Sequence, residues 1–255
     1  MAVKLYYKKH GAGLPVVCIH GYPLDHSIWN PLIPFLEKKM QLILPDLRGH
    51  GKSPAPAGPY TIQGMAEDIL GLIDELGFSQ VLLVGQSMGG YVALQFARSY
   101  PSRLLGLVLA ASHPYPDDPE KKKGRYDMVR KVQEKGVEKA LAEFPAKLSP
   151  VPEIQDYTRR IINATSANGV IGSLQAMAER SDCSDILSLA EYSTAVVLGK
   201  EDVFIPPEQQ EQMQTQFPRI KFSILENTAH MLMIERPKTV SQVILEVANQ
   251  IEEYD

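Results

Sequence analysis

The run Val81-Leu82-Leu83-Val84-Gly85-Gln86-Ser87-Met88-Gly89-Gly90 constrains this chain more than any other segment. Four apolar residues form a buried strand, a Gly-x-Ser-x-Gly turn follows, and a helical pattern opens directly after it. A turn this sharp leaves no room for a Cβ at its glycine positions and pushes the serine side chain out beyond the sheet edge. The free N–H groups and dipole of the following helix favour negative charge beside Ser87, where an oxyanion would form. The simpler reading, a glycine-rich turn with a structural serine, does not account for the strand before it and the helix after it.

The rest of the chain repeats the alternation. Strand runs are expected near 4–9, 15–20, 41–45, 80–85, 104–111, 194–198 and 220–225, and helices near 27–38, 61–77, 88–100, 206–216 and 237–252. Continuous apolar strands alternating with amphipathic helices imply an α/β fold with a doubly wound, mostly parallel sheet. One connection is too long. The 82 residues from 112 to 193 exceed the roughly 12–25 that a crossover helix with its loops needs. Their helical patterning (Val129, Val132, Leu141, Ile161, Ile162, Leu174) is broken by Pro145, Pro150 and Pro152. Residues 113–188 are therefore expected to form a helical cap over the carboxyl edge of the sheet, inserted into a core made of 1–112 and 189–255.

A serine needs a base, and a base needs an orienting carboxylate. Asp202 follows the strand run 194–198 and His230 follows the run 220–225, so Ser87, Asp202 and His230 all fall at carboxyl ends of strands, where open α/β sheets gather their chemistry. Glu201, Asp117 and Asp118 are the alternative acids. His20 and His50 flank glycines in turns and read as structural, His10 and His26 as surface or loop residues, and His113, just past a strand end, as a pocket residue together with Met231. Met88, Met177 and Met233 are further pocket candidates, although Met177 fits a cap core equally well. By position, Met88 supplies one backbone N–H to the oxyanion.

Four blocks resemble the α/β-hydrolase superfamily, and within it the small serine hydrolases that include aryl esterases, non-haem haloperoxidases and enol-lactonases. They are His20-Gly21-Tyr22-Pro23, the stretch from Asp46 to Ser53 (Asp-x-Arg-Gly-x-Gly-x-Ser), the turn from Gly85 to Gly90, and Asp202 with Pro206 followed by His230 with Glu235 and Pro237. The resemblance implies an α/β-hydrolase fold, no cofactor, and a second oxyanion donor on Tyr22, since Pro23 has no N–H to give. Three positions depart from the usual pattern: Gln86 before the serine, Ala229 before the histidine, and Leu232 two residues after it. None removes a catalytic group. The serine at position 87 separates the chain from the dehalogenases and epoxide hydrolases of this fold, which carry Asp there.

The activity expected from these residues is cleavage of a small carboxylic ester or lactone through an acyl-enzyme. A carbon–carbon bond hydrolase of the same fold and a small-molecule receptor using the same pocket are the alternatives. A net charge of −4 argues against a nucleic-acid partner. No metal-binding or phosphate-cradling motif is visible, so no metal is expected and activity should survive chelation. The two cysteines, Cys18 in a strand run and Cys183 in the long connection, suggest no disulfide framework. No apolar run reaches membrane-spanning length and no signal peptide is visible, so a cytoplasmic location is expected. The basic run from Lys121 to Arg125 reads as a solvated helix start rather than a docking site for an acidic partner such as an acyl-carrier protein.

Overall fold

The computed structural model of the protein describes residues 2–252. Seven strands form one sheet: β1 (Tyr7–His10), β2 (Leu14–Ile19), β3 (Met40–Pro45), β4 (Val81–Gln86), β5 (Leu104–Ala110), β6 (Ser193–Gly199) and β7 (Lys221–Leu225). Their order is β1-β3-β2-β4-β5-β6-β7. Every neighbouring pair is parallel except β1, which runs antiparallel to β3 at the edge. All seven expected strands are present. The central ones are continuous apolar runs because helices cover both of their faces, and Val81 to Val84 are completely buried.

The helices are α1 (Ile33–Leu36), α2 (Ile62–Glu75), α3 (Met88–Ser99), α4 (Pro119–Ala140), α5 (Phe144–Leu148), α6 (Pro152–Ala164), α7 (Ala167–Ala178), α8 (Ser184–Ser188), α9 (Pro207–Gln216), α10 (Leu232–Glu235) and α11 (Pro237–Glu252). Thr61 starts α2 by accepting the Gly64 N–H at 2.9 Å, and Met65, Ile69, Leu72 and Ile73 form its buried stripe. The helix expected over 27–38 is instead a 3₁₀ segment, His26–Leu32, followed by the single turn α1. Pro31 and Pro34 account for the change, since neither can donate a helical hydrogen bond.

The long β5–β6 connection folds as α4 to α8, and α4 is kinked at Gly136, whose φ is 76°. Its bonds to the core tie it to the loops that follow the strands. Thr165 Oγ1 donates to Pro23 O at 3.1 Å, Ser166 Oγ to Gly49 O at 3.2 Å, and the His230 N–H to Leu148 O at 3.1 Å. Gly49 and Gly169 meet backbone to backbone, so a side chain at either would overlap the other. The helices therefore lie across the carboxyl ends of β2, β3 and β7.

The Asp46-to-Ser53 block pins that edge. Asp46 Oδ1 accepts the His26 N–H at 2.8 Å and pairs with His26 Nδ1 at 2.7 Å, while Oδ2 accepts the Lys52 N–H at 2.8 Å. His26, expected as a surface or loop residue, follows the loop after β2 but has its side chain largely buried against Asp46. Arg48 grips Asp68 through two bonds of 2.6 and 2.7 Å in a buried pair. His20 Nε2 accepts the Leu47 N–H at 2.9 Å, which leaves Nδ1 to donate to Gly21 O.

Burial, reinforced by the nearby His20, pushes the His50 pKa down to about 3 from an ordinary 6.5. Burial, then Arg180 and Lys121, pushes that of His113 down to about 3 as well. Burial also lowers that of His20, against the pull of Asp46. These rings are neutral in the folded protein, whereas the unfolded chain takes up protons on them below pH 6.5. Their stability is complete above that pH and is lost as pH falls toward 3. Each ring should remove roughly 1.4 kcal/mol per pH unit. Urea unfolding at pH 7, 6, 5 and 4 should therefore show little change from pH 7 to 6 and a progressively steeper loss below pH 6, approaching at most about 3 kcal/mol per unit when His50 and His113 act together. A flat profile from pH 7 to 4.5 would contradict the buried neutral state.

Candidate active site

Ser87 sits between β4 and α3 with φ 50° and ψ −116°, a conformation that L-residues rarely adopt and that surrounding structure must enforce. The enforcement is visible. Its N–H donates to Ala110 O at 3.0 Å, and its carbonyl accepts from Gly90 N–H at 2.9 Å and from Ser112 Oγ at 2.8 Å. A Cβ on Gly85 would overlap the backbone of Gly89 and Gly90, and one on Gly89 would overlap Ile19 O. The crowding that makes glycine necessary on both sides of the serine is therefore a crossing of α3 over the ends of β4 and β2.

Asp202 and His230 follow β6 and β7. They are 2% and 3% exposed, and His230 Nδ1 lies 2.7 Å from Asp202 Oδ2. The Phe204 N–H donates to Asp202 Oδ1 at 2.9 Å, which fixes the carboxylate, and the Phe204 ring packs on the imidazole with centroids 4.7 Å apart. With Nδ1 committed to Asp202, Nε2 is the free nitrogen. Ser87 and His230 line one cavity of about 420 Å³. Among the described residues no hydrogen bond joins the two; that bond is commonly long without substrate and tightens when substrate arrives.

The backbone N–H groups of Tyr22 and Met88 have no hydrogen-bond partner among the described residues. Gly21 is pressed against Gln86 and Ser87 such that a Cβ there would overlap the Gln86 side chain, so the Tyr22 loop approaches the serine closely. The Tyr22–Pro23 peptide is cis.

The alternative acids are exposed or engaged by other groups, Asp117 within the cavity wall itself. Glu201 is exposed, and Asp117 is engaged by Arg125 and by Arg180 Nη1 at 2.7 Å. Asp118 caps α4 by accepting the Lys121 N–H. His113 does line the cavity, with Nε2 3.2 Å from the Tyr91 hydroxyl. Met231 does not: its side chain is fully buried in the core and absent from the cavity wall, because the chain turns into α10 directly after His230. Of the methionines considered from sequence, Met177 alone reaches the wall; Met88 and Met233 are core residues, and Met128 was missed. Tyr91 was also missed, although it lies one helical turn after Ser87, which places it on the same side of α3. The basic run is not wholly solvated, since Lys121 and Arg125 both line the cavity.

The family model described as alpha/beta hydrolase fold matches residues 15–237. A thermophilic esterase from Thermogutta terrifontis, solved with malate bound, is 35% identical, with 98% of this chain and 94% of that one covered and a TM-score of 0.92. A pimeloyl-[acyl-carrier protein] methyl ester esterase of Legionella pneumophila (strain Paris) is 28% identical over 90% of this chain and 92% of its own length. The enol-lactonase from Burkholderia xenovorans LB400 shares the fold, with a TM-score of 0.86, 24% identity, and 96% of each chain covered. Among the described residues no helix is long and apolar enough to cross a membrane. The order of the strands, the strained serine between β4 and α3, and the match over most of the sequence make the chain a member of the alpha/beta hydrolase fold family.

Proposed function

We propose that the protein is a serine hydrolase that cleaves a small carboxylic ester or lactone, with Ser87 as nucleophile, His230 as base and Asp202 as the orienting acid. The observation that carries the reading is the 2.7 Å His230–Asp202 bond facing the same cavity as a serine held at φ 50°. The esterase likeness of the relatives supports it.

Ser87 Oγ attacks the carbonyl carbon as His230 Nε2 takes its proton, and Asp202 stabilises the imidazolium. The unpaired N–H groups of Tyr22 and Met88 receive the oxyanion. When the tetrahedral adduct collapses, the alcohol leaves with the proton from His230 and an acyl-serine remains. Water, deprotonated by His230, then attacks the acyl carbon, and the acid departs as Ser87 regains its proton. Steady turnover of p-nitrophenyl acetate and of a small lactone, over many cycles per chain, is the expected result. A single turnover with a retained adduct would indicate a receptor instead.

The helices of the β5–β6 connection act as a cap that shapes the substrate pocket. Met128, Leu141, Phe144, Leu174 and Met177 supply its apolar wall. Leu174→Ala and Met177→Ala should change the ratio of kcat/KM between short and long acyl esters by about 10–200-fold. A single common factor across the series, or no change, would remove the cap from specificity.

A further inference from the structure

One side of the cavity is rich in hydrogen-bond donors, several of which have no acceptor among the described residues. Tyr22 is 6% exposed, and its hydroxyl is buried with no partner among the described residues. Burial raises its pKa, so it remains an O–H donor. The Tyr91 hydroxyl and His113 Nε2 are 3.2 Å apart, while His113 Nδ1 is buried and unpartnered. The ring is neutral, so it carries one N–H. If that hydrogen is on Nδ1, it has no acceptor. If it is on Nε2, it donates to Tyr91, whose own O–H is then free. Either tautomer leaves the pair with one donor to spare.

Arg125 completes the wall. Its Nε and Nη2 bond Asp117, the latter at 3.3 Å, and its Nη1 has no partner among the described residues. Asp117 cannot serve anything else, because Arg180 Nη1 also bonds it at 2.7 Å. Burial works against the Asp117 charge, yet the two guanidinium groups hold its carboxyl below the usual range. Of the ionised side chains lining the cavity, Lys121, Arg125 and Lys147 are positive and Asp117 alone is negative. Lys121 and Lys147 are exposed, so they sit at the rim. A neutral ester would leave these inner donors without acceptors, and unsatisfied buried donors are costly. An anion offers acceptors of the kind these donors lack.

We infer that the cavity is an anion-recognising one, and that the preferred ester carries a free carboxylate held by Arg125, the Tyr22 hydroxyl and the Tyr91–His113 pair. Asp117, backed by Arg180, is the positioning residue that holds the Arg125 guanidinium with Nη1 left free. Tyr22 belongs to both parts of the cavity, since its unpaired N–H is the proposed oxyanion donor and its unpartnered hydroxyl is on the residue that lines the same wall. Ser87 and Arg125 line the same cavity of about 420 Å³, so the ester meant is a small one such as a monoester of a short dicarboxylic acid. This inference rests on the serine-hydrolase reading above.

The test compares monomethyl succinate, glutarate and adipate with neutral methyl esters of equal length. O-acetyl hydroxy acids place the charge on the alcohol side. The protein should favour the charged member of at least one series by about 10–100-fold in kcat/KM, chiefly through KM, as expected of charge-assisted hydrogen bonds. In Arg125→Gln the charged-to-neutral ratio should collapse toward unity. Glutarate binding to the unmodified protein, followed by calorimetry, reads the same site without turnover or a folded variant. Equal or better turnover of neutral esters in both series, with no glutarate binding, would overturn the anion subsite and leave the serine hydrolase standing. Glutarate binding without hydrolysis of any ester would do the reverse.

Discussion

Ser87→Ala should lower kcat on a small ester by roughly four to six orders of magnitude, leaving only the rate that binding and the oxyanion donors supply. The fold should survive, because the Ser87 hydroxyl makes no hydrogen bond among the described residues and the backbone bonds that hold the turn do not involve it. Ser87→Gly gives a second readout. Glycine tolerates φ 50° and ψ −116° without strain, so this inactive variant should be more stable than the parent by about 1 kcal/mol, after the entropy glycine adds to the unfolded chain. A melting temperature that drops instead would show that the turn stores no strain. Ser87→Ala retaining kcat near the parent value on every ester tested would remove the residue from the chemistry.

Asp202→Asn should cost about four orders of magnitude in kcat. The amide oxygen can still accept the Phe204 N–H in place of Oδ1, so the turn persists. The amide nitrogen, facing His230 Nδ1 at 2.7 Å, becomes a donor and shifts the ring proton to Nε2. A ring protonated at Nε2 cannot take the serine proton. Stability measured by urea unfolding should change far less than activity. A loss of less than tenfold would mean that His230 is oriented by something other than Asp202.

Much of this was legible in the residues, for physical reasons that can be named. Strands buried on both faces must be continuous apolar runs, so β2 to β6 announce themselves, and the glycines at 85 and 89 record where α3 crosses β4 and β2. That Asp202 and His230 come together was legible because each follows a strand, and the sheet brings such positions to one edge. The direction of β1 was not legible, since an edge strand of four residues carries no sign of its orientation. Arg125 was missed for a different reason. In sequence it belongs to a solvated basic run, and only the return of the chain brings Arg180 and Asp117 together to hold it. Met231 was misassigned because adjacency to His230 along the chain says nothing about direction at the start of a helix; its side chain turns into the core.

The central claim, that Ser87 is a nucleophile activated by His230 in this cavity, is tested most directly by labelling with a fluorophosphonate and locating the adduct by peptide mass spectrometry. One adduct per chain is expected, on Ser87, with esterase activity lost in proportion to labelling, and His230→Ala should slow the labelling strongly. An adduct on another residue, or full activity in a completely labelled protein, would contradict the account.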